Sequence, residues 1–248
     1  MKTIDKLVQQ FHPTSLKQMD DVKLLNRVDT KFICSLNSLP EILIEIKELY
    51  KVIEINNKRV MMYRTKYYDT SYFRMYYEHQ NGKLNRYKVR ERRYEETNIE
   101  FLEIKFKSNK KRTLKSRITK SINDGIFSKK EIEFLNYKSP FSSEELQVKL
   151  LNTFNRITLC NDTERITVDF NLKFEGINGT KSRLNSLAII EVKQSKYSIN
   201  SNIVKILKKH QIRPCSFSKY CIGATMVYPN LKSNSLKSKF LLINKLSA

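Results

Sequence analysis

The sequence predicts an α+β fold, in which helices pack outside a mainly antiparallel sheet of about eight strands. Several segments alternate apolar and charged residues with a period of two, which is typical of strands with one buried face. Most of these segments are joined by tight turns, which favours antiparallel pairing. The sequence shows neither a glycine-rich phosphate loop nor a strict alternation of strands and helices.

The first elements are a strand, a helix and a strand pair. LLNRVDTKFICSL is predicted to be a strand and SLPEILIEIKELY a helix, with Ser38 and Glu41 at capping-box spacing and Pro40 in the first turn. YKVIEINN and RVMMYRTKYYDT are rich in β-branched and aromatic residues, and Asn56 and Asn57 between them suggest a hairpin turn. The predicted buried stripe of the helix consists of Ile42, Leu43, Ile46 and Leu49.

The middle of the chain contains two long strands. YFRMYYEHQN is predicted to be a short helix or a loop, and GKLNRYKVRERRYEE and IEFLEIKFK are strands joined near Thr97 and Asn98. SNKKRTLKSRITK is a basic connector or a further strand. His79 has no partner at metal-binding spacing, so we expect it to complete a hydrogen-bond network.

The remaining segments predict helices and strands in turn. SKKEIEFLNYK and SSEELQVKLLNTF have helical patterns, RITLCND and ERITVDFNL form a hairpin at Asn161 and Asp162, and SLAIIEVKQ is a further strand. SINSNIVKILKKH is an amphipathic helix. We expect one domain over residues 1–228, followed by a linker and a C-terminal tail helix over 229–248. The predicted inward positions of the amphipathic helix are Ile199, Ile203, Ile206 and Leu207.

The chain is strongly basic, with 47 Lys and Arg against 25 Asp and Glu and a net charge of +22. Such an excess predicts a polyanionic partner, such as nucleic acid, an anionic membrane or a phosphate chain. Lys, Asn and Ile are abundant together, as AT-rich coding would produce, so the lysine excess is also compatible with neutral surface residues. That alternative explains a patterned arginine cluster less well.

Cysteine usage and the N-terminus predict a soluble, cytoplasmic protein. Cys34, Cys160, Cys215 and Cys221 form no CxxC pair and no zinc-spaced cluster, so reduced thiols are expected. The opening MKTIDKLVQQFHPTSL lacks the apolar core of a signal peptide, and no apolar run approaches the length of a membrane span.

The charged faces of the strands allow two interpretations. One is a sheet with an apolar face on a core and a charged face in water. The other is a closed barrel with the charged face inward, which would form a water-filled cationic tunnel for a polyanion. The charged positions that share a face are Arg86, Lys88, Arg90 and Arg92; Arg27, Asp29 and Lys31; Glu103, Lys105 and Lys107; Arg165 and Asp169; and Glu191 and Lys193.

An ordered series of short motifs resembles one family. NRVDTKF, YYDT, the Tyr-x-x-His of YYEH, RYKVRERRY, FLEIKFK, RITVDFNL, IIEVK and FSKY follow one another between about residues 22 and 225. Together they resemble the VTC domain, the polyphosphate polymerase branch of the triphosphate tunnel metalloenzymes, which are also called CYTH-like proteins. The resemblance implies a closed eight-stranded antiparallel barrel whose basic lumen binds nucleoside triphosphates or polyphosphate with Mn²⁺ or Mg²⁺.

The resemblance also implies roles for individual residues. Glu191 of IIEVK matches the metal-binding glutamate, and Glu103 and Asp169 are weaker candidates for metal or water positioning. The resemblance implies that five basic residues would hold the nucleotide, and these are Lys31, Arg86, Lys88, Arg90 and Lys219. The implied catalytic basic residues are Lys31, Arg86, Lys88, Arg90, Lys105, Arg156, Arg165 and Lys219.

One departure from the superfamily bears on the activity. The superfamily opens with an acid-x-acid-x-Lys motif, whereas this chain has Arg27-x-Asp29-x-Lys31. One carboxylate of a hydrolytic two-metal site is therefore missing. This favours a polymerase that transfers the γ-phosphate of ATP to phosphate or polyphosphate over a metal-dependent inorganic or nucleoside triphosphatase.

Two other classes of function stay open at this point. The chain could be a non-catalytic module that binds polyphosphate or inositol polyphosphates. Nucleic-acid binding is disfavoured because the sequence has no helix-turn-helix, zinc or RNP-like pattern. A membrane-protein partner at the membrane periphery is compatible with the family, but nothing in the sequence encodes one.

Overall fold

The protein is described here from a computed structural model, which covers residues 2–20, 27–110, 112–120 and 127–247. Residues 24–26 of the first predicted strand and Lys111 of the basic connector lie outside these ranges. The strands are β1 (Pro13–Thr14), β2 (Val28–Ser35), β3 (Lys51–Ile53), β4 (Val60–Asp69), β5 (Arg86–Tyr94), β6 (Ile99–Lys107), β7 (Thr113–Thr119), β8 (Gln147–Cys160), β9 (Glu164–Gly176) and β10 (Lys181–Gln194).

Helices flank this sheet along the whole chain. They are α1 (Lys2–Val8), α2 (Leu16–Asp20), α3 (Leu39–Ile46), α4 (Arg74–Gln80), α5 (Lys129–Lys138), α6 (Asn202–Lys209), α7 (Lys219–Val227) and α8 (Lys237–Ser247), with a 3₁₀ turn at Asn234–Leu236. The mixed α+β class with a large antiparallel sheet is therefore confirmed.

The sheet is open, and the prediction of a closed eight-stranded barrel is wrong. The strands run in the order β2-β10-β9-β8-β4-β5-β6-β7, and β3 pairs with β8 and β1 with β3. Within the described ranges, β2 and β7 do not pair with each other. The outer edge of β2 is already occupied, because Phe32 bridges Pro214 and the amide of Cys215 donates to the Lys31 carbonyl at 2.7 Å.

Although it is open, the sheet curls strongly. Five strand spacings separate β2 from β5, which is about 24 Å in a flat sheet. Yet the ammonium group of Lys31 on β2 donates to the Phe217 carbonyl at 3.3 Å, and that of Lys88 on β5 donates to the Ser218 hydroxyl at 2.9 Å. Two neighbouring residues can reach both strands only if the sheet wraps around them. The charged strand faces therefore line a concave surface.

Most helices cover the convex surface. Apolar residues of α1, α3 and α6 pack on the outward side chains of β2, β8, β9 and β10, including Ile157, Val168 and Ile190. Leu135 of α5 packs on the outward side of β5 and β6, beside Val89. Because these positions alternate with the charged ones, the apolar face of each strand supplies the main core.

Helix α7 lies inside the concave surface. Tyr220, Cys221 and Ala224 pack with Phe154 and Phe174 at one end of the curled sheet. A Cβ on Gly223 would stand 2.3 Å from Cδ1 of Phe174, so glycine permits this close approach. One end of the concave surface is thus apolar and filled, and the other end is charged. The expectation that helices pack only outside is wrong for α7.

Several local predictions also differ from the structure. SSEELQVKLLNTF contributes to the 14-residue strand β8, because sheet pairing on both sides outweighs its helical pattern. The side chain of Ser38 makes no capping bond, so α3 begins without the expected capping box. Leu49 and Ile199 are exposed. Asn56 and Asn57 form the expected tight turn, since both residues have positive φ and Ile55 bridges Lys58. The flanking strands do not form a hairpin, because β3 and β4, both within the described residues, pair one after the other along the same edge of β8 rather than with each other.

Candidate functional site

The first part of the charged surface is built by β5, β6 and β7. Arg90 and Glu103 face each other across β5 and β6, and the guanidinium of Arg90 lies 2.6 Å from a carboxylate oxygen of Glu103. Lys115 of β7 forms an ion pair with the same carboxylate. Although burial alone would raise the pKa of Glu103, the charges of Arg90, Arg92 and Lys115 hold it well below its usual range. Glu103 is therefore an anion enclosed by cations.

The second part joins β8, β9 and α7. Arg156 makes two parallel bonds to Asp169, at 2.5 and 2.7 Å, and Lys219 at the start of α7 pairs with the same carboxylate. Asp169 is 3% exposed. Burial raises the pKa of Asp169, but Arg156 and Lys219 outweigh it and lower the pKa below its usual range. Burial in turn lowers the pKa of Lys219 to about 8.

The third part lies on β2 and β10. Glu191 stands between two ammonium groups, 3.4 Å from that of Lys31 and 2.8 Å from that of Lys193. Burial raises the pKa of Glu191, yet Lys193 and Lys31 outweigh that effect and hold the pKa well below the ordinary value. Asp29 pairs in register with Lys193 on the same face and binds Arg27 at 2.9 Å.

The three parts face one another across the concave surface. Burial first, and then the charges of Arg90 and Lys31, lower the pKa of Lys105 on β6 to about 7, although Glu191 and Asp29 act in the opposite direction. Lys31 of β2 and Lys88 of β5 contact the neighbouring residues Phe217 and Ser218, so the two sides of the curled sheet approach each other. We call the surface formed by these charged residues the cationic groove.

Arg92 is the main residue of the groove that the sequence analysis did not assign to the site. Its side chain is 6% exposed, and its guanidinium carbon lies 5.6 Å from the ring of Tyr63 and 5.8 Å from that of Phe154. Its Nε is buried without a hydrogen-bond partner, and no carboxylate of the described residues forms an ion pair with it. Because it shares a face with Arg86, Lys88 and Arg90, the period-two pattern already contained the signal.

The other predicted residues lie at different depths. Arg86 is half-buried at the groove margin, where it donates to the Lys83 carbonyl at 2.8 Å. Arg165 shares the concave face but donates to the Met19 carbonyl at 3.0 Å, so it also anchors α2. Arg86 and Arg165 lie at the edges of the groove. The structure brings the nine other predicted residues together inside it, and these are Lys31, Lys88, Arg90, Lys105, Arg156, Lys219, Glu103, Asp169 and Glu191.

The fit of a divalent metal can be judged from the carboxylates. In the part of the chain that the structure describes, no group of three or more His, Cys, Asp or Glu side chains is placed to hold an ion. Mg²⁺ commonly needs only one or two protein carboxylates when substrate phosphates supply the other ligands. Glu191 fits such a site because it is half-buried at the groove surface, whereas Glu103 is fully buried between Arg90 and Lys115.

The fold and the groove define a class of protein in which a curled antiparallel sheet concentrates cationic side chains on its concave face. Guanidinium groups bind phosphate oxygens in pairs, and lysines provide point charges. The chain belongs to the VTC domain family, whose model matches residues 26–228. The resemblance found in the sequence is thereby confirmed. Among curated proteins, none matches this chain in sequence.

One solved structure supports the fold, and two others are similar at a lower TM-score. A candidate adenylate cyclase from Bacillus halodurans matches with a TM-score of 0.51 at 14% identity, covering 78% of this chain and 94% of that one. A candidate adenylate cyclase from Vibrio parahaemolyticus has a TM-score of 0.49 at 13% identity, with coverages of 79% and 97%. A candidate adenylyl cyclase from Hippeastrum, described as having a dominant triphosphatase activity, has a TM-score of 0.48 at 10% identity, with coverages of 83% and 97%.

Among the residues described, no helix combines the length and the apolar character that a membrane span requires.

Proposed function

We propose that this protein is a polyphosphate polymerase-like phosphotransferase, which moves the γ-phosphate of ATP to phosphate or to a growing polyphosphate chain in the cationic groove. The observation that supports this most directly is the convergence of basic side chains from both ends of the sheet. Arg92 and Lys105 add to it, because neither has an ion-pair partner among the described residues. A buried cation without a counter-ion is unfavourable until an anion is bound.

Each part of the groove would act on the phosphate chain in its own way. Arg90, Arg92 and Arg156 would hold phosphate oxygens with paired hydrogen bonds and neutralise the charge that develops on the transferred phosphoryl group. Lys31 and Lys88 contact the two residues before α7, and Lys219 is the first residue of that helix. These three lysines would therefore fix the position of the phosphate chain near the start of α7. The chemistry would rest on positioning and electrostatics rather than on a protein nucleophile.

A divalent metal would be held by Glu191, and Mn²⁺ and Mg²⁺ are the proposed ions. When bound, it would neutralise phosphate charge and act as a Lewis acid. Glu191 would have to exchange its contacts with Lys31 and Lys193 for the ion. A metal role for Glu103 also stays a prediction, although its ion pairs suit it better to positioning Arg90 and Lys115.

Product analysis tests the activity. We expect the protein, incubated with ATP and Mn²⁺, to form an acid-stable phosphate polymer, and we expect Glu191→Gln to reduce its formation. The Glu175→Gln variant is a matched control, because Glu175 lies on β9 in an exposed pair with Lys181. Free phosphate as the sole product would indicate a triphosphatase, and the absence of both products would refute catalysis.

A non-catalytic polyanion-binding module is the second candidate. One observation favours it: Glu103, Asp169 and Glu191 are each bound by two cations, so the described groove offers no carboxylate free of ion pairs at these three positions. Tight binding of polyphosphate or an inositol polyphosphate, without any turnover and without a requirement for metal, would support this alternative.

Binding of tripolyphosphate should weaken as the pH rises above about 7. The pKa of Lys105 is lowered to about 7, so this lysine loses its proton above that pH in the empty groove. Bound phosphate favours the charged form and raises its pKa, so binding takes up a proton in this range and affinity falls with pH. Titration calorimetry between pH 6.5 and about 9 should show a shallower slope for Lys105→Met. An unchanged slope would contradict the assignment.

The remaining assignments are proposals that follow from this function. ATP and polyphosphate are the proposed partners, nucleic acid is not expected, and the cytoplasm is the proposed location. The division between a 1–228 domain and a 229–248 tail also stays a prediction. In the structure, α8 packs through Ile243 onto the same apolar cluster as α7.

A further inference from the structure

His79 lies at the end of α4, beside the cationic groove. Helix α4 packs against β5, β4 and α7, and His79 is in its last turn. The imidazole is half-buried, and its Nδ1 is buried without a hydrogen-bond partner among the described residues. The expectation that His79 completes a hydrogen-bond network is therefore wrong in this respect. A buried polar atom without a partner calls for an explanation.

The surroundings of His79 keep the ring neutral. Its pKa is lowered from 6.5 to about 3, first by burial and then by the positive charges of Lys88, Arg86, Lys107 and Lys31. These cations come from β5, β6 and β2, and all of them belong to the concave face. The imidazole therefore experiences the same positive potential that would attract a phosphate chain.

The acidic groups near α4 are already engaged by other partners. Glu78 on the same helix is bound by Arg74 at 3.3 Å and by Lys83 at 2.8 Å. Asp69 at the end of β4 accepts hydrogen bonds from the Tyr220 hydroxyl and from amides of α4. The other titratable groups on these packed elements are Tyr76 and Tyr77 on α4, Tyr67 on β4 and Lys219 on α7.

We propose that the protonation of His79 is coupled to ligand binding. Its imidazole is neutral while the groove is empty and takes up a proton when a phosphate chain binds beside Arg86 and Lys88. This inference rests on the proposed function, because it requires a bound polyanion. Phosphate charge would offset the cations that now disfavour the imidazolium. The carbonyl groups at the C-terminal end of α4 also favour a positive charge at this position.

Proton uptake makes binding depend on pH in a defined direction. The bound state carries one proton more than the free state, so the affinity contributed by His79 rises as the pH falls. Bound phosphate offsets the neighbouring charges but not the burial, so we expect the pKa of His79 in the complex to rise only to about 5.5. Wild-type affinity relative to His79→Gln should then increase about tenfold between about pH 6.5 and pH 4.5. Dividing the wild-type affinity by that of His79→Gln at each pH cancels the effect of the protonation of tripolyphosphate, which is the same for both proteins.

Nuclear magnetic resonance can observe the proton directly, because the chain has only three histidines. The probe is tripolyphosphate, added to the full chain between about pH 4.5 and pH 8. We expect the ring signals of His79 to show a neutral imidazole over this range in the free protein and to titrate with a midpoint near about 5.5 in the complex. His12 is exposed and His210 contacts Glu45 at 2.7 Å. Their signals are internal controls, because the addition of tripolyphosphate should not change them.

The outcomes separate this inference from the proposed function. If wild type and His79→Gln both bind tripolyphosphate with the same pH dependence, and the His79 ring stays neutral in the complex, only the inference about His79 is overturned. If neither protein binds tripolyphosphate at any pH, the proposed function fails and the inference fails with it. A midpoint that rises only in the complex, together with the expected affinity ratio, supports both.

Discussion

Replacing Asp169 by Asn is expected to destabilise the protein by about 3–5 kcal/mol in the absence of phosphate ligands. The substitution preserves the shape of the side chain but removes the negative charge that Arg156 and Lys219 share. Two buried cations would then face each other without compensation. Chemical denaturation measures the loss of unfolding free energy.

Tripolyphosphate should restore much of that stability, because the ligand can replace the missing carboxylate between Arg156 and Lys219. We therefore expect the melting temperature of Asp169→Asn to rise more with tripolyphosphate than that of wild type. Asp162→Asn is the matched control, since Asp162 is exposed in the turn between β8 and β9 and its replacement should be nearly neutral. A ligand-induced rise no larger than in wild type would argue against phosphate binding at this position.

Replacing Arg92 by Met should have the opposite pattern of effects. The guanidinium has no ion-pair partner among the described residues, so its removal should leave stability within about 1 kcal/mol of wild type or increase it. Methionine can still pack against Tyr63 and Phe154. Tripolyphosphate affinity should fall about 10- to 100-fold, as expected for the loss of charged hydrogen bonds. Calorimetry and denaturation together measure both quantities.

The neighbouring residue provides the control for Arg92. Arg93 lies on the opposite face of β5, where it approaches Glu95 at 3.6 Å and donates to Asn98 at 2.6 Å. Arg93→Met removes the same charge from the same strand but should leave tripolyphosphate affinity nearly unchanged. Equal losses of affinity in the two variants would mean that net charge, rather than the groove, attracts the ligand.

Much of the groove could be predicted because strand alternation is a local property. The pattern of RYKVRERRY placed Arg90 and Arg92 on one face, and the structure shows both on the concave side with Glu103 opposite Arg90. Parity likewise placed Lys31 with Asp29 on one strand and Glu191 with Lys193 on another, and the structure pairs Lys31 with Glu191 in register between β2 and β10. Such positions follow from the two-residue repeat once the strands are recognised.

The missed features depend on contacts between distant parts of the chain. The outer edge of β2 is occupied by Pro214 and Cys215, which no local pattern near Phe32 indicates. The segment KYCIGATMV did contain a signal for burial. A helix that is apolar on all sides is typically buried, and α7 is indeed buried in the concave surface. The fit of Gly223 against Phe174 could not be read from the sequence.

The most direct measurement of the central claim is a crystal structure of the protein soaked with tripolyphosphate and Mn²⁺. The account predicts a phosphate chain in the cationic groove, with oxygens at hydrogen-bonding distance from Arg90, Arg92 and Lys219, and with the metal against Glu191. A chain bound only on the convex surface, with Arg92 still unpaired and the groove free of phosphate, would contradict it.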